Sequence, residues 1–153
     1  MAPRNDDIHP DAAVAPGYLA NHAARVFNRL VDTLLKPEGL SLGLIGPILL
    51  LRWKGPMPQR DLVRHAAVKQ PAMVATLDKL EALGLIARTP VPGDRRSASI
   101  ALTERGAAMA DAGRTALLDG NATGTQGFTE AEVAMLVTLL QRFIANLEAS
   151  HGT

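Results

Sequence analysis

Two arginines, Arg95 and Arg96, stand side by side directly after Pro92, Gly93 and Asp94 in the stretch PGDRRSASI. Proline, glycine and aspartate make a turn. A guanidinium is a permanent cation whose planar fork fits the oxygens of a phosphate or the edge of a base. The chain has 153 residues and a formal net charge of +1, but the charge is unevenly spread. Residues 52–96 hold nine Lys or Arg against four Asp or Glu, a net of +5 (9 − 4), whereas residues 1–51 net −1 (4 − 5) and residues 97–153 net −3 (3 − 6). A basic segment inside a nearly neutral chain points to a polyanion, because phosphate responds to the local field and not to the total charge.

Other chemistries find little support. The absence of cysteine excludes disulfides, thiolate nucleophiles, thiol redox switches and Cys-ligated zinc. The histidines, His9, His22, His65 and His151, lack metal-ligand spacing. The carboxylates do not gather around a nucleophile, and glycine-rich phosphate loops, GxSxG and HExxH are absent. The expectation is a protein that is not an enzyme and takes no metal or cofactor. The start of the chain has no charged-then-apolar order of a signal peptide. The apolar run Leu42–Leu51 is too short to span a bilayer and contains Gly43, Gly46 and Pro47. A soluble, cytoplasmic protein with no membrane partner is therefore expected.

The elements that would carry the arginines follow from periodicity. Residues 1–16, with Pro3, Pro10 and Pro16 and three aspartates, read as a flexible arm, and residues 17–153 as a single domain. Leu19, Ala23, Val26, Phe27, Leu30, Val31 and Leu34 recur at helical spacing before Lys36-Pro37 stops the run. Ser41 is expected to cap a second helix through about Trp53, with Pro47 kinking it or delaying its regular part. Pro58 opens a short third helix to about His65, and Gln70-Pro71 opens a fourth that ends at Leu83-Gly84. The period then changes from helical to two. LIART (85–89) and SASIAL (97–102) read as strands, joined by a loop, PVPGDRR, longer than a tight two-residue turn. Thr103 caps a fifth helix, Gly120–Gly127 reads as a flexible connector, and Thr129-Glu130-Ala131-Glu132 is a capping box opening the sixth.

Two short helices, a longer helix with small side chains on its polar face, and a two-stranded flap make a winged helix-turn-helix over about 40–102, in a mainly α (α+β) protein. The longer helix suits the major groove, and a positive flap suits the backbone or minor groove.

The stretch DLVRHAAVKQPAMVATLDKLEALGLIARTPVPGDRRSASIALTERG resembles the DNA-binding core of the MarR/SlyA transcriptional regulators. The similarity is strongest over residues 61–106 and extends by helix number and order over about 18–149. It implies a homodimer, with flanking helices at about 17–36 and 103–149 that interleave with those of a second copy. Leu19, Val26, Leu30, Val133, Leu136, Val137, Leu140, Phe143, Ile144 and Leu147 are the interface candidates. It further implies a repressor of double-stranded DNA at a pseudo-palindromic operator, released by a small lipophilic or phenolic effector held between the dimer helices and the DNA-binding lobe.

By the same resemblance Arg96 is the minor-groove residue, Asp94 orients the wing through an ion pair, and Arg95 neutralises a phosphate. Gln70, Pro71, Ala72 and Thr76 form the reading surface, with Arg60, Arg64, Lys69 and Lys79 on the phosphate backbone. Ala75 and Lys69 depart from the pattern, which commonly has Arg or Asn at the first and a Ser or Thr cap at the second. Base readout is therefore expected to be thinner and the wing to matter more. The alternative reading is a winged-helix module that pairs with protein.

Overall fold

The computed structural model describes residues 8–66 and 69–152, without the side chains of Arg95 and Arg96. Seven residues of the expected arm, 1–7, lie outside this set. Within the rest of it, α1 (Pro10–Ala13) is a single helical turn capped by His9, whose Nδ1 accepts from the Asp11 amide at 3.2 Å. The chain divides into two compact units, Met1–Gly120 and Asn121–Thr153.

In the first unit, α2 (Pro16–Leu35) turns Val31 and Leu35 into the core and ends in the 3-10 turn Lys36–Glu38. Helix α3 (Leu42–Lys54) follows. Ser41 occupies its N-cap position but makes no side-chain cap bond. Asp32 does that work from α2, its Oδ1 accepting from the Leu42 amide at 2.7 Å. A carboxylate at a helix N-terminus satisfies an orphan amide and favours the dipole. The bond also ties α3 to α2. Pro47 does not delay the helix, which runs through it.

The expected third helix starts one residue late. Met57–Pro58 form strand β1, and α4 spans Gln59–Ala66. Pro58 pairs with Ser99 at the edge of a sheet, the place where a residue without an amide proton is tolerated. Helix α5 (Gln70–Ala82) matches its expected limits. At its end Gly84, at φ +74°, donates to the Glu81 carbonyl, and Leu85 donates to Leu80. That pair of bonds is a Schellman motif and requires the left-handed conformation that glycine adopts freely.

Strands β2 (Ile86–Val91) and β3 (Asp94–Leu102) are longer than their sequence signals, and β1 adds a third antiparallel strand in the order β1-β3-β2. The wing loop is accordingly a two-residue turn. Val91 pairs with Asp94 across Pro92-Gly93, with Gly93 at φ +85°. Proline followed by a positive-φ glycine is the type II turn combination, and it lets the strands continue where a long loop was expected. A register shift between Thr89 and Val91 absorbs Pro90, which cannot donate to a ladder.

Helix α6 (Glu104–Gly124) starts at Thr103, whose Oγ1 accepts from the Gly106 amide at 3.0 Å and donates to the Gly84 carbonyl at 2.6 Å. The helix runs through Gly120, so the glycine-rich connector is confined to 125–129. Ile45, Ile48, Leu62, Leu77, Leu80, Leu85 and Ile100 are fully buried and fuse α3, α4, α5 and the sheet into one core. In the second unit α7 (Glu130–Ser150) carries the expected capping box. The Glu132 amide donates to Thr129 Oγ1 at 3.1 Å, and the Thr129 amide donates to Glu132 Oε2 at 3.2 Å.

Candidate nucleic-acid interface

The first unit displays α5 by burying one side of it. Met73, Leu77 and Leu80 point into the core, at the three-and-four spacing that leaves the opposite side free. Gln70, Pro71, Ala72 and Ala75 are exposed, and Thr76 is half-buried. Thr76 Oγ1 donates to the Ala72 carbonyl at 3.0 Å, so its hydroxyl faces a ligand as an acceptor. Pro71 supplies no amide.

Three candidate residues from three elements meet in one cleft. Arg60 of α4, Gln70 at the start of α5 and Asp94 at the start of β3 line it together with Gln59 and Val63. The helix that would read bases and the tip of the wing therefore face a shared space. Asp94 Oδ2 accepts from the Ser97 hydroxyl at 2.7 Å, a bond that ties the wing's turn to the strand beyond it. Arg95 and Arg96 follow Asp94 in the same strand, and their backbone is extended.

The basic segment is less free than its charge suggests. Arg52 is committed to Asp111 on α6, with Nε 3.1 Å from Oδ1. Arg64 lies 3.2 Å from Asp61 on its own helix, although its side chain stays largely exposed. Arg88 turns inward, with Nη1 2.7 Å from Asp78 Oδ1 and 3.8 Å from Glu81 Oε1. Lys54 lies over the exposed Trp53 ring at 4.8 Å. Arg60, Lys69 and Lys79 are exposed and make no ion pair with a described residue. Lys79 lies nine positions beyond Gln70, about 13 Å along the helix axis at 1.5 Å per residue, and so stands apart from the cleft.

Sequence reasoning missed Gln59, Arg88 and the bond from the Thr103 hydroxyl to the Gly84 carbonyl, although it expected Thr103 to cap α6, as the Gly106 amide bond shows. Arg88 carried a readable signal: it shares the inward phase of β2 with the buried Ile86. Among the described residues no group of three or more His, Cys, Asp or Glu is placed to hold a metal ion.

The interface candidates on α2 and α7 lie open. Leu19, Val26, Leu136, Val137, Leu140, Ile144 and Leu147 are exposed, and Leu30, Val133 and Phe143 are half-buried. No residue of α7 is buried.

Comparison with known proteins adds to this geometry. The MarR family model matches residues 48–98. The HTH-type transcriptional repressor NicR of Pseudomonas putida is 42% identical over 62 residues, a match covering 40% of this chain and 39% of that protein. The chain thus aligns with about two fifths of the curated relative's length. Among solved structures, a mutant MarR from E. coli complexed with operator DNA is similar with a TM-score of 0.76 and 25% identity, over 89% of this chain and 99% of that one. A MarR family protein of Mycobacterium tuberculosis in complex with salicylic acid has a TM-score of 0.65 and 28% identity, over 85% of this chain and 96% of that one.

Proposed function

We propose that this chain, a member of the MarR family of transcriptional regulators, represses transcription as a cytoplasmic homodimer on a pseudo-palindromic operator and is released by a small effector. The observation that carries the reading is the meeting of Arg60, Gln70 and Asp94 in one cleft between α4, α5 and the wing tip. With α5 in the major groove, Gln70 can bond a base edge through its amide, Ala72 can touch a thymine methyl, and Thr76 can accept from a donor. Arg60, Arg64, Lys69 and Lys79 contribute phosphate attraction, and Arg95 does so from the wing. Arg96 enters the minor groove, where the potential draws in a guanidinium.

Dimerisation explains what α7 would otherwise leave open. Its residues Val133, Leu136, Leu140, Phe143 and Leu147 repeat at alternating steps of three and four, the spacing of a helix–helix seam. By length and composition alone α7 could also cross a membrane, with a mean hydropathy of 1.2. A seam with a second copy accounts for the same apolar residues and for the winged helix beside them in sequence.

The effector has a candidate place. A cleft lined by Gly46, Pro47, Leu50, Leu62, Ala72 and Met73 opens beside α5, with His65 and Thr76 as its polar groups. A mostly apolar lining with a few polar groups is the general form of a small-molecule site. A β-carbon at Gly46 would meet nothing within 4 Å, so that helix position leaves room on the cleft side. The ligand class is a small aromatic acid, as in the relative complexed with salicylic acid. Occupation would act on the recognition helix directly through Ala72, Met73 and Thr76.

The test is a salt titration of affinity for the best duplex selected from a random library, run with and without salicylate. Affinity is expected to fall steeply with salt, with a log–log slope of roughly −0.9 per neutralised phosphate, and to weaken with salicylate. A flat salt response, or failure to select any site, would sink the regulator reading in favour of a protein-pairing module. Unchanged affinity at saturating salicylate would remove that ligand class alone.

A further inference from the structure

We infer that Arg88 is a positioning residue that sets the angle between the recognition helix and the wing, and so determines operator specificity without touching DNA. The inference rests on the DNA-binding reading above. Arg88 sits in β2 opposite Ile100, at the middle of the wing's sheet. Its guanidinium reaches across to the C-terminal half of α5, where Asp78 and Glu81 stand three residues apart on one side of the helix. The other half of α5 carries Gln70, Ala72 and Thr76, and the far end of β2 leads into the Pro92-Gly93 turn and Asp94. One cation thus links the two DNA-facing parts from behind.

Stability alone is a poor account of this arrangement. Arg88 keeps 21% of its side-chain surface exposed, Asp78 59% and Glu81 46%, and ion pairs so accessible to water add little to folding. The same side chain has Nε and Nη2 buried with no hydrogen-bond partner among the described residues, and unpaired buried donors oppose folding. An apolar residue at this inward position of β2 would bury more favourably, as Ile86 does two residues earlier. What an arginine supplies that an apolar residue cannot is a directed bond from the sheet to two chosen carboxylates on the helix. Groove and wing contacts must be made together, so a change in the angle between them forfeits one or the other.

The experiment compares the wild-type dimer with Arg88→Met, Asp78→Asn and the swap Arg88→Asp/Asp78→Arg. Affinity is measured for the best duplex selected by the wild type and for a random duplex of equal length at one salt concentration. Arg88→Met is expected to weaken selected-duplex binding about tenfold, the scale of one lost base contact. Random-duplex affinity and the salt slope should stay within about twofold, and the melting temperature within about 3 °C. The swap should recover most of the loss. Undiminished selectivity in Arg88→Met overturns the inference, and so does an equal loss on both duplexes with a falling melting temperature, which would mark a folding role. A wild type that selects no duplex overturns the DNA-binding reading itself; one that selects a duplex leaves that reading standing whatever Arg88 does.

Discussion

At the scale of single residues, the chain's positive charge is sorted by neighbours. Arg52 and Arg88 have carboxylate partners within 3.1 Å. Arg64 lies beside Asp61 while staying largely exposed, so among the described candidates Arg60, Arg64, Lys69 and Lys79 are open to a polyanion. Arg95 and Arg96 are adjacent in an extended strand. The roles proposed for them, Arg96 in the minor groove and Arg95 on a phosphate, should separate in function. Arg96→Ala is expected to cost about 1–3 kcal/mol of selected-duplex affinity and to relax base preference where the wing reaches, whereas Arg95→Ala should weaken all duplexes alike and reduce the salt slope by about 1. Anisotropy titrations of both variants on selected and random duplexes distinguish the two roles. Retained affinity in both variants would return the arginines to ordinary turn charges.

At the scale of elements, the tightest constraint lies where α5, β2 and α6 meet. Thr103 bridges the Gly84 carbonyl and the Gly106 amide, and a β-carbon on Gly106 would overlap the Leu85 carbonyl oxygen. That neighbour is backbone at the Schellman end of α5 and cannot swing away. Gly106→Ala is therefore expected to destabilise the fold by about 3 kcal/mol, the upper end for overpacking. The melting temperature should fall by roughly 6–12 °C for a chain of this size. Calorimetry checks it, and a variant that melts with the wild type would mean that α6 approaches less closely. The same junction separates what the sequence made legible from what it did not. Helix α5 was readable at both ends because Pro71 and Gly84 are local signals, and the Thr129 box announced α7 within four residues. Strand β1 was not, because Met57 and Pro58 become a strand only through Ile100 and Ser99, some forty residues on. The wing's true length was hidden for the same reason, since the ladder, once paired, carried the strands up to Pro92-Gly93. Asp32 displaced Ser41 as the partner of the Leu42 amide because α2 and α3 pack together, a contact with no local sequence signature. Arg88 counted only as charge until its partners on α5 were known.

At the scale of the whole molecule, the proposed homodimer would cover apolar side chains that α2 and α7 each expose. Leu140, Ile144 and Leu147 on α7 remain 41%, 51% and 51% exposed, and full burial of such a side chain is worth about 1.5–3 kcal/mol. Several of them in the proposed seam would favour association. The DNA reading needs that seam too, since a half-site held by one winged helix gains little without its mate. Two linked modules can exceed the single affinity by about 10²–10⁴, and a monomer forfeits that gain. Leu140→Asp/Ile144→Asp places two charges in the seam while leaving the first unit's core, built on Leu62, Leu77 and Ile100, untouched. The variant is expected to elute as a monomer by light scattering. It should keep its salt-dependent affinity for random duplex but lose at least about a hundredfold on the selected pseudo-palindrome. Its folded first unit can be verified by a retained helical circular dichroism spectrum and a cooperative melt. A variant that stays dimeric would move the interface away from α7. One that becomes monomeric yet binds the palindrome as tightly as before would show that each winged helix reads alone, and the case for paired half-sites would fall with it.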